Sequence, residues 1–257
     1  MTQVLPLMLQ SLGAGVKVAI LDSGADPFSV HLQGKNFDGY VCERNRYGDL
    51  EVQEVEKGLN FDVNGHGTAV QSLFYSVAPE AHVSHFRLLD KQAHCDATLL
   101  CLTLDYVVSQ KFQVINLSLG TRQEEAIPWL VSNMRRAYEN KCTIVAACDL
   151  NTNYVYPGLF TYCISVEPCE ASHPLELIYT PRSVVEFSAW GHQVKLLDHG
   201  NSQQAKPLTG ASYACSFVSG MAARLLATDP SLDPILVKCK LREYAKEIKG
   251  KKDLVYQ

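Results

Sequence analysis

The sequence predicts an α/β fold, a doubly wound, mainly parallel sheet with helices on both faces. Short β-rich runs alternate along it with helix-compatible stretches of ten or more residues, the signature of a parallel sheet covered on both sides. Hydrophobic residues make up 47% of the 257 and charged residues 19%, enough apolar material for a full core and too ordered a composition for a disordered chain. No internal repeat and no low-complexity linker interrupts the alternation.

The elements follow in order. Residues 16–21, rich in β-branched side chains, form the first strand and end at Asp22. A charged stretch over 42–60 reads as a solvated surface hairpin or insertion. Residues 69–75 are apolar and helix-compatible, and 83–89 form a second strand. Apolar residues at helical spacing over 96–109 predict a helix with Asp96 as its N-cap. Residues 113–119 are a buried-type strand closed by Gly120; 124–140 are helical and 142–147 β-rich. Shorter strands are expected around 163–166, 184–188 and 194–197. Helices over 212–227 and 232–249 complete the chain.

Lys and Arg total 23 against 27 Asp and Glu, a formal charge of −4, which gives no electrostatic reason to expect nucleic acid or an anionic membrane as partner. No apolar run approaches the roughly 18 residues a membrane span needs. The apolar N-terminus has no basic residue ahead of its short apolar stretch and so reads poorly as a secretory signal. Nine cysteines, an odd number scattered through core-like segments without a C-x-x-C pair, fit neither a disulfide framework nor a zinc site. They read as small buried hydrophobes of a reducing compartment.

Active sites of such sheets gather at the carboxyl ends of the strands. Asp22 directly follows a strand and precedes a Ser-Gly turn; alone it reads as a turn cap. His66 is flanked by glycines, which let backbone pack closely around an imidazole. Ser212 opens a small-residue helix, whose free N–H groups and positive dipole end suit an oxyanion; alone, a serine there is an ordinary N-cap.

Taken together and in the order Asp, His, Ser, these segments resemble the subtilisin-like serine proteases, the subtilase family. The resemblance rests on VAILDSGAD around Asp22, NGHGTAV around His66, VINLSLG at 114–120 and GASYACSFVSGMAARLL around Ser212. Weaker matches are SVAPEAHVSHFRLLD at 76–90 and YPGLFTYCISV at 156–166, so most of the chain is covered. The resemblance implies a subtilisin-like single peptidase domain over 1–257. It implies Ser212 as nucleophile, His66 as general base and Asp22 as the carboxylate that orients the imidazole, because a serine hydroxyl attacks an amide only when a base takes its proton. The chain order differs from that of chymotrypsin and of α/β-hydrolases, and no G-x-S-x-G elbow occurs. It further implies that Ser118, Leu119 and Gly120 form an exposed edge that pairs with an extended polypeptide substrate.

Several positions depart from the family pattern. Where the family has an oxyanion-donating asparagine, this chain reads Ala146-Ala147-Cys148-Asp149. Asp149 takes that place, as in a prohormone convertase of the wider family; an ionised carboxylate cannot donate a hydrogen bond and would repel the oxyanion, a protonated one could donate, and Asn151 or Asn153 on a shifted loop is the alternative donor. Ser216 replaces a proline and Ala69 a second histidine. The space before Val77-Ala78-Pro79 is too short for the calcium loop of secreted subtilisins, so calcium is not expected at that site; no other metal and no cofactor is expected. Only 21 residues precede Asp22, too few for a folding prodomain. The expectation is a cytoplasmic serine endopeptidase, with a selective processing role as a narrower version and a peptide-binding pseudoprotease, or a subunit needing a partner, as rivals.

Overall fold

The computed structural model describes residues 4–149, 156–196 and 207–249. In chain order its elements are α1 (Val4–Gln10), β1 (Lys17–Asp22), β2 (Phe37–Arg44), β3 (Leu50–Val55), α2 (His66–Val77), β4 (His82–Arg87), α3 (Ala97–Ser109), β5 (Val114–Leu117), α4 (Ile127–Glu139), β6 (Thr143–Ala147), β7 (Cys163–Cys169), β8 (Leu177–Tyr179), β9 (Phe187–Trp190), α5 (Ala211–Thr228) and α6 (Pro234–Ile248).

The side chains of β1 alternate between two apolar clusters: Val18 and Ile20 enter one, Ala19 and Leu21 the other. Strands β5 and β6 repeat this, with Val114, Val145 and Ala147 on the first face and Ile115, Leu117, Ile144 and Ala146 on the second. A strand buried on both faces need not alternate apolar with polar, which is why these segments read as unbroken hydrophobic runs. The first cluster is completed by side chains of α1, α2, α5 and α6, the second by those of α3 and α4.

The strand order is β3-β2-β4-β1-β5-β6-β7-β9-β8. From β2 to β9 every neighbouring pair is parallel, and β3 and β8 are antiparallel edge strands. After β1 the chain forms β2 and β3, passes through α2 to β4 across one face, then returns through α3 across the other face to β5, on the opposite side of β1. That reversal opens a crevice at the carboxyl end of β1.

Except for the strand expected at 194–197, the expected elements are present with shifted ends. Asp96 caps α3, accepting the Leu99 N–H at 3.0 Å. The hairpin expected over 42–60 is formed by β2 and β3 in antiparallel register and starts earlier, at Phe37, and ends at Val55; β2 also pairs in parallel with β4, so the hairpin extends the main sheet. The strand expected at 184–188 begins only at Phe187. Residues 180–186 form a turn, closed by Thr180 N–H donating to Glu186 O at 2.9 Å, that joins β9 to the unforeseen short strand β8. Of the strand expected at 194–197, Val194 makes a single bridge to Leu208, and Leu197 lies outside the described residues. The apolar N-terminus is used as α1: Arg224 donates to Met8 O at 2.7 Å, holding it on α5.

Candidate active site

Asp22 is the last residue of β1 and is fully buried, 0% exposed. Its Oδ1 accepts the Ser23 N–H at 2.7 Å and lies 2.7 Å from Nδ1 of His66, the first residue of α2. Gly24 makes the turn: its φ is +106°, and a Cβ there would stand 2.3 Å from the Phe61 carbonyl oxygen. With Nδ1–H engaged by the carboxylate, the Nε2 lone pair of His66 is left to take a proton. Burial pulls the His66 pKa down, but the Asp22 charge, the hydrogen bond to it and the more distant Asp62 charge outweigh burial, and the pKa is raised.

Asp62 organises the loop that delivers His66. Its carboxylate accepts the N–H groups of Asn64 (3.0 Å), Gly65 (2.8 Å) and Thr68 (2.9 Å) and the hydroxyl of Ser23 (2.8 Å). It thereby satisfies orphan donors at the start of α2 and places negative charge at the helix N-terminus. Burial opposes ionisation, yet the bonds from Thr68, Asn64, Gly65 and Ser23 prevail and the Asp62 pKa is lowered.

Ser212 is the second residue of α5 and is 7% exposed. A buried polar ladder fixes this helix start on β5. Asn116 donates to Ser118 Oγ at 2.8 Å, Ser118 Oγ to Ser212 O at 3.3 Å, Ser216 Oγ to Ser212 O at 2.9 Å, and Ser219 Oγ to Asn116 Oδ1 at 2.8 Å. The Ser212 hydroxyl itself donates to the Ser118 carbonyl at 3.0 Å. Tyr213, the next residue, packs its ring on His66 with centroids 5.5 Å apart, so the start of α5 lies against the imidazole.

The structure therefore brings Asp22 and His66 into direct contact and lays the Ser212 segment beside them, with the Ser212 hydroxyl turned to Ser118. Ser118 and Leu119 are each 1% exposed. Of the expected open edge only Gly120 reaches the surface in part, because Ser118 is turned into the ladder under α5. Asp149 is half-buried, two residues past β6; Asn151 and Asn153 lie outside the described residues. Sequence reasoning missed Asp62, Asn116 and the buried pair His85–Gln71. A carboxylate four residues before a glycine-flanked histidine was a readable signal for the first; no local pattern distinguished the others. Among the described residues no three His, Cys, Asp or Glu side chains gather as a metal site needs.

A parallel sheet whose switch point holds an acid–imidazole pair, with a helix-start serine beside it, places the chain in the subtilisin-like fold class. The chain belongs to the subtilase family, whose profile matches residues 13–253. It is similar to the intracellular serine protease of Paenibacillus polymyxa, 27% identical over 229 residues that cover 83% of this chain and 64% of that one. It is also similar to the minor extracellular protease Epr of Bacillus subtilis (strain 168), 24% identical over 90% of this chain and 35% of that one. Thermitase of Thermoactinomyces vulgaris is 27% identical over 93% of this chain and 84% of its own length. The chain thus spans less than two thirds of the first two of these relatives. Among solved structures, sphericase matches with a TM-score of 0.71 at 20% identity, over 94% of this chain and 88% of that one. A cold-adapted subtilisin-like serine proteinase gives 0.64 at 21%, over 90% and 82%.

Proposed function

We propose that this chain is a serine endopeptidase that hydrolyses peptide bonds of extended polypeptides through Asp22, His66 and Ser212. One observation carries the reading: the 2.7 Å contact of a fully buried carboxylate with an imidazole that lies against the start of the serine-bearing helix. In the reaction, Ser212 Oγ turns from the Ser118 carbonyl toward Nε2 of His66, a change between staggered rotamers. As Oγ bonds to the scissile carbonyl carbon, its proton passes to Nε2, and the Asp22 carboxylate stabilises the imidazolium. The carbonyl oxygen becomes an oxyanion facing the N–H groups at the start of α5, with a protonated Asp149 carboxyl, or the amide of Asn151 or Asn153, as a further donor. The imidazolium gives its proton to the leaving amine as the C–N bond breaks. Water, deprotonated by His66, then releases the acyl group.

The backbone at Gly120, the part of 118–120 that reaches the surface, is assigned to align the extended substrate. A cytoplasmic site of action is supported by nine unbridged cysteines and by the relative named as an intracellular protease. A second reading, a peptide-binding module without turnover, is favoured by the Ser212 hydroxyl resting on Ser118 O and by the carboxylate at 149. Hydrolysis of an unstructured protein such as reduced casein separates the two. Cleavage by the wild type that falls on the order of 10⁴-fold or more in His66→Ala and Ser212→Ala establishes the enzyme. Equal activity in folded Ser212→Ala overturns it.

A further inference from the structure

His85, on β4, is 0% exposed and sits behind the Asp22–His66 pair. Both its ring nitrogens are engaged. Nε2 accepts the Gly24 N–H at 3.2 Å, and Nδ1 lies 2.7 Å from Oε1 of the equally buried Gln71 on α2. A backbone N–H can only donate, so Nε2 must be the acceptor; Nδ1 then carries the hydrogen and donates to Gln71. This pattern admits only the neutral ring in one tautomer. A second proton would set Nε2–H against Gly24 N–H, two donors facing each other at 3.2 Å.

The ring is held on its other sides as well. Phe61 meets it edge to face at 5.8 Å, and Gly67, next to His66, approaches so closely that a Cβ would stand 3.0 Å from His85 Cε1. The charged and titratable groups that act on it are Asp22 of β1, Asp62 of the loop before α2, and His66 of α2 itself. Burial dominates these and pushes the His85 pKa down to about 4.

We propose that His85 is a positioning residue for the Asp22–His66 pair, and that its neutral ring clamps the turn after Asp22 while leaving the Asp22 charge to His66 alone. This rests on the assignment of Asp22, His66 and Ser212 to catalysis. Through Gly24 the clamp fixes the turn whose first residue aims the carboxylate; through Gln71 it ties that turn to the helix that begins with His66. Two histidines flank one carboxylate, and the hydrogen bonds decide which of them takes the proton. A buried residue that served packing alone would leave the titration of His66 unchanged when replaced by a side chain of similar size.

The test is histidine-resolved NMR titration of the full chain between pH 5 and 9. In the wild type, His85 should remain the neutral Nδ1–H tautomer throughout, and a ring found charged at pH 6 overturns the proposal. In His85→Leu, with folding checked by thermal melting, loss of the clamp loosens the Asp22 contact, and the His66 titration should move down by half a pH unit or more. His85→Gln, whose amide can accept from Gly24 and donate to Gln71, should restore most of the shift. Gln71→Met removes the other anchor and gives the same direction if His85→Leu does not fold. A folded Leu or Met variant with His66 titrating as in the wild type overturns the proposal. In peptide hydrolysis, His85→Leu should lower kcat about tenfold with KM within twofold. Hydrolysis that persists in Ser212→Ala would overturn the catalytic assignment, while the titration still reports on His85.

Discussion

At the residue scale, the protonation state of His66 governs the proposed reaction. The base must be neutral to accept the serine proton, and its pKa is raised by Asp22 and Asp62 against the pull of burial. Activity should therefore fall on the acid side with a midpoint above the usual histidine value of about 6.5. Asp149→Asn tests the oxyanion assignment in the same profile. An amide can donate where a carboxylate cannot, and one such donor is worth roughly 10²–10³ in rate, so the variant should gain tenfold or more at neutral pH. A folded variant dead at every pH would overturn that assignment. Asp22, His66 and Ser212 were legible in the sequence because glycines and strand or helix boundaries mark them. His85 was not, because it occupies a strand position that looks like any other and gains its partners, Gly24 and Gln71, only when β1, β4 and α2 come together.

At the scale of elements, α2 and α5 carry the two halves of the site, and each is fixed at its start by buried polar contacts. For α2 the anchor is Asp62, whose pKa is lowered by the hydrogen bonds it accepts once folded. A carboxyl with a depressed folded pKa contributes stability above its unfolded value, about 3.9, and loses it as pH falls through the folded one. Asp62→Asn should then cost about 1–3 kcal/mol at neutral pH in a denaturant melt, and the gap to the wild type should close as the pH falls below that unfolded value. A gap that is constant with pH would show that the ionised form is not what anchors the helix. For α5 the anchor is the Asn116–Ser118–Ser212–Ser219 ladder. The sequence showed α3 with its Asp96 cap, since a cap is local. The ladder joins residues about a hundred positions apart, and no local pattern announces it. The short strand β8 and the bridge at Val194 escaped for a related reason: three residues or one pair carry too little periodicity to read.

At the scale of the whole molecule, three distant segments must meet for the chemistry to exist: the end of β1, the start of α2 and the start of α5. The doubly wound sheet does this by reversing its crossover at β1, and the unbroken apolar strands that dictate such a sheet were the most legible feature of the sequence. The nine thiols are all unbridged; Cys215 packs in one apolar core and Cys42, Cys101, Cys142 and Cys163 in the other, and burial pushes the pKa of several far above the reactive range, that of Cys163 to about 12. The hydroxyl of Ser212 rests on Ser118 O in the structure, and its activation is the central claim of the proposed mechanism. Labelling of the purified full chain by a fluorophosphonate probe across pH 5–9, beside Ser212→Ala, measures it directly. Labelling that rises as His66 loses its proton, and is absent from the Ser212→Ala variant, is the expected result. A folded wild type that takes no label at any pH, or a Ser212→Ala variant that labels equally, would contradict the assignment of Ser212 as an activated nucleophile.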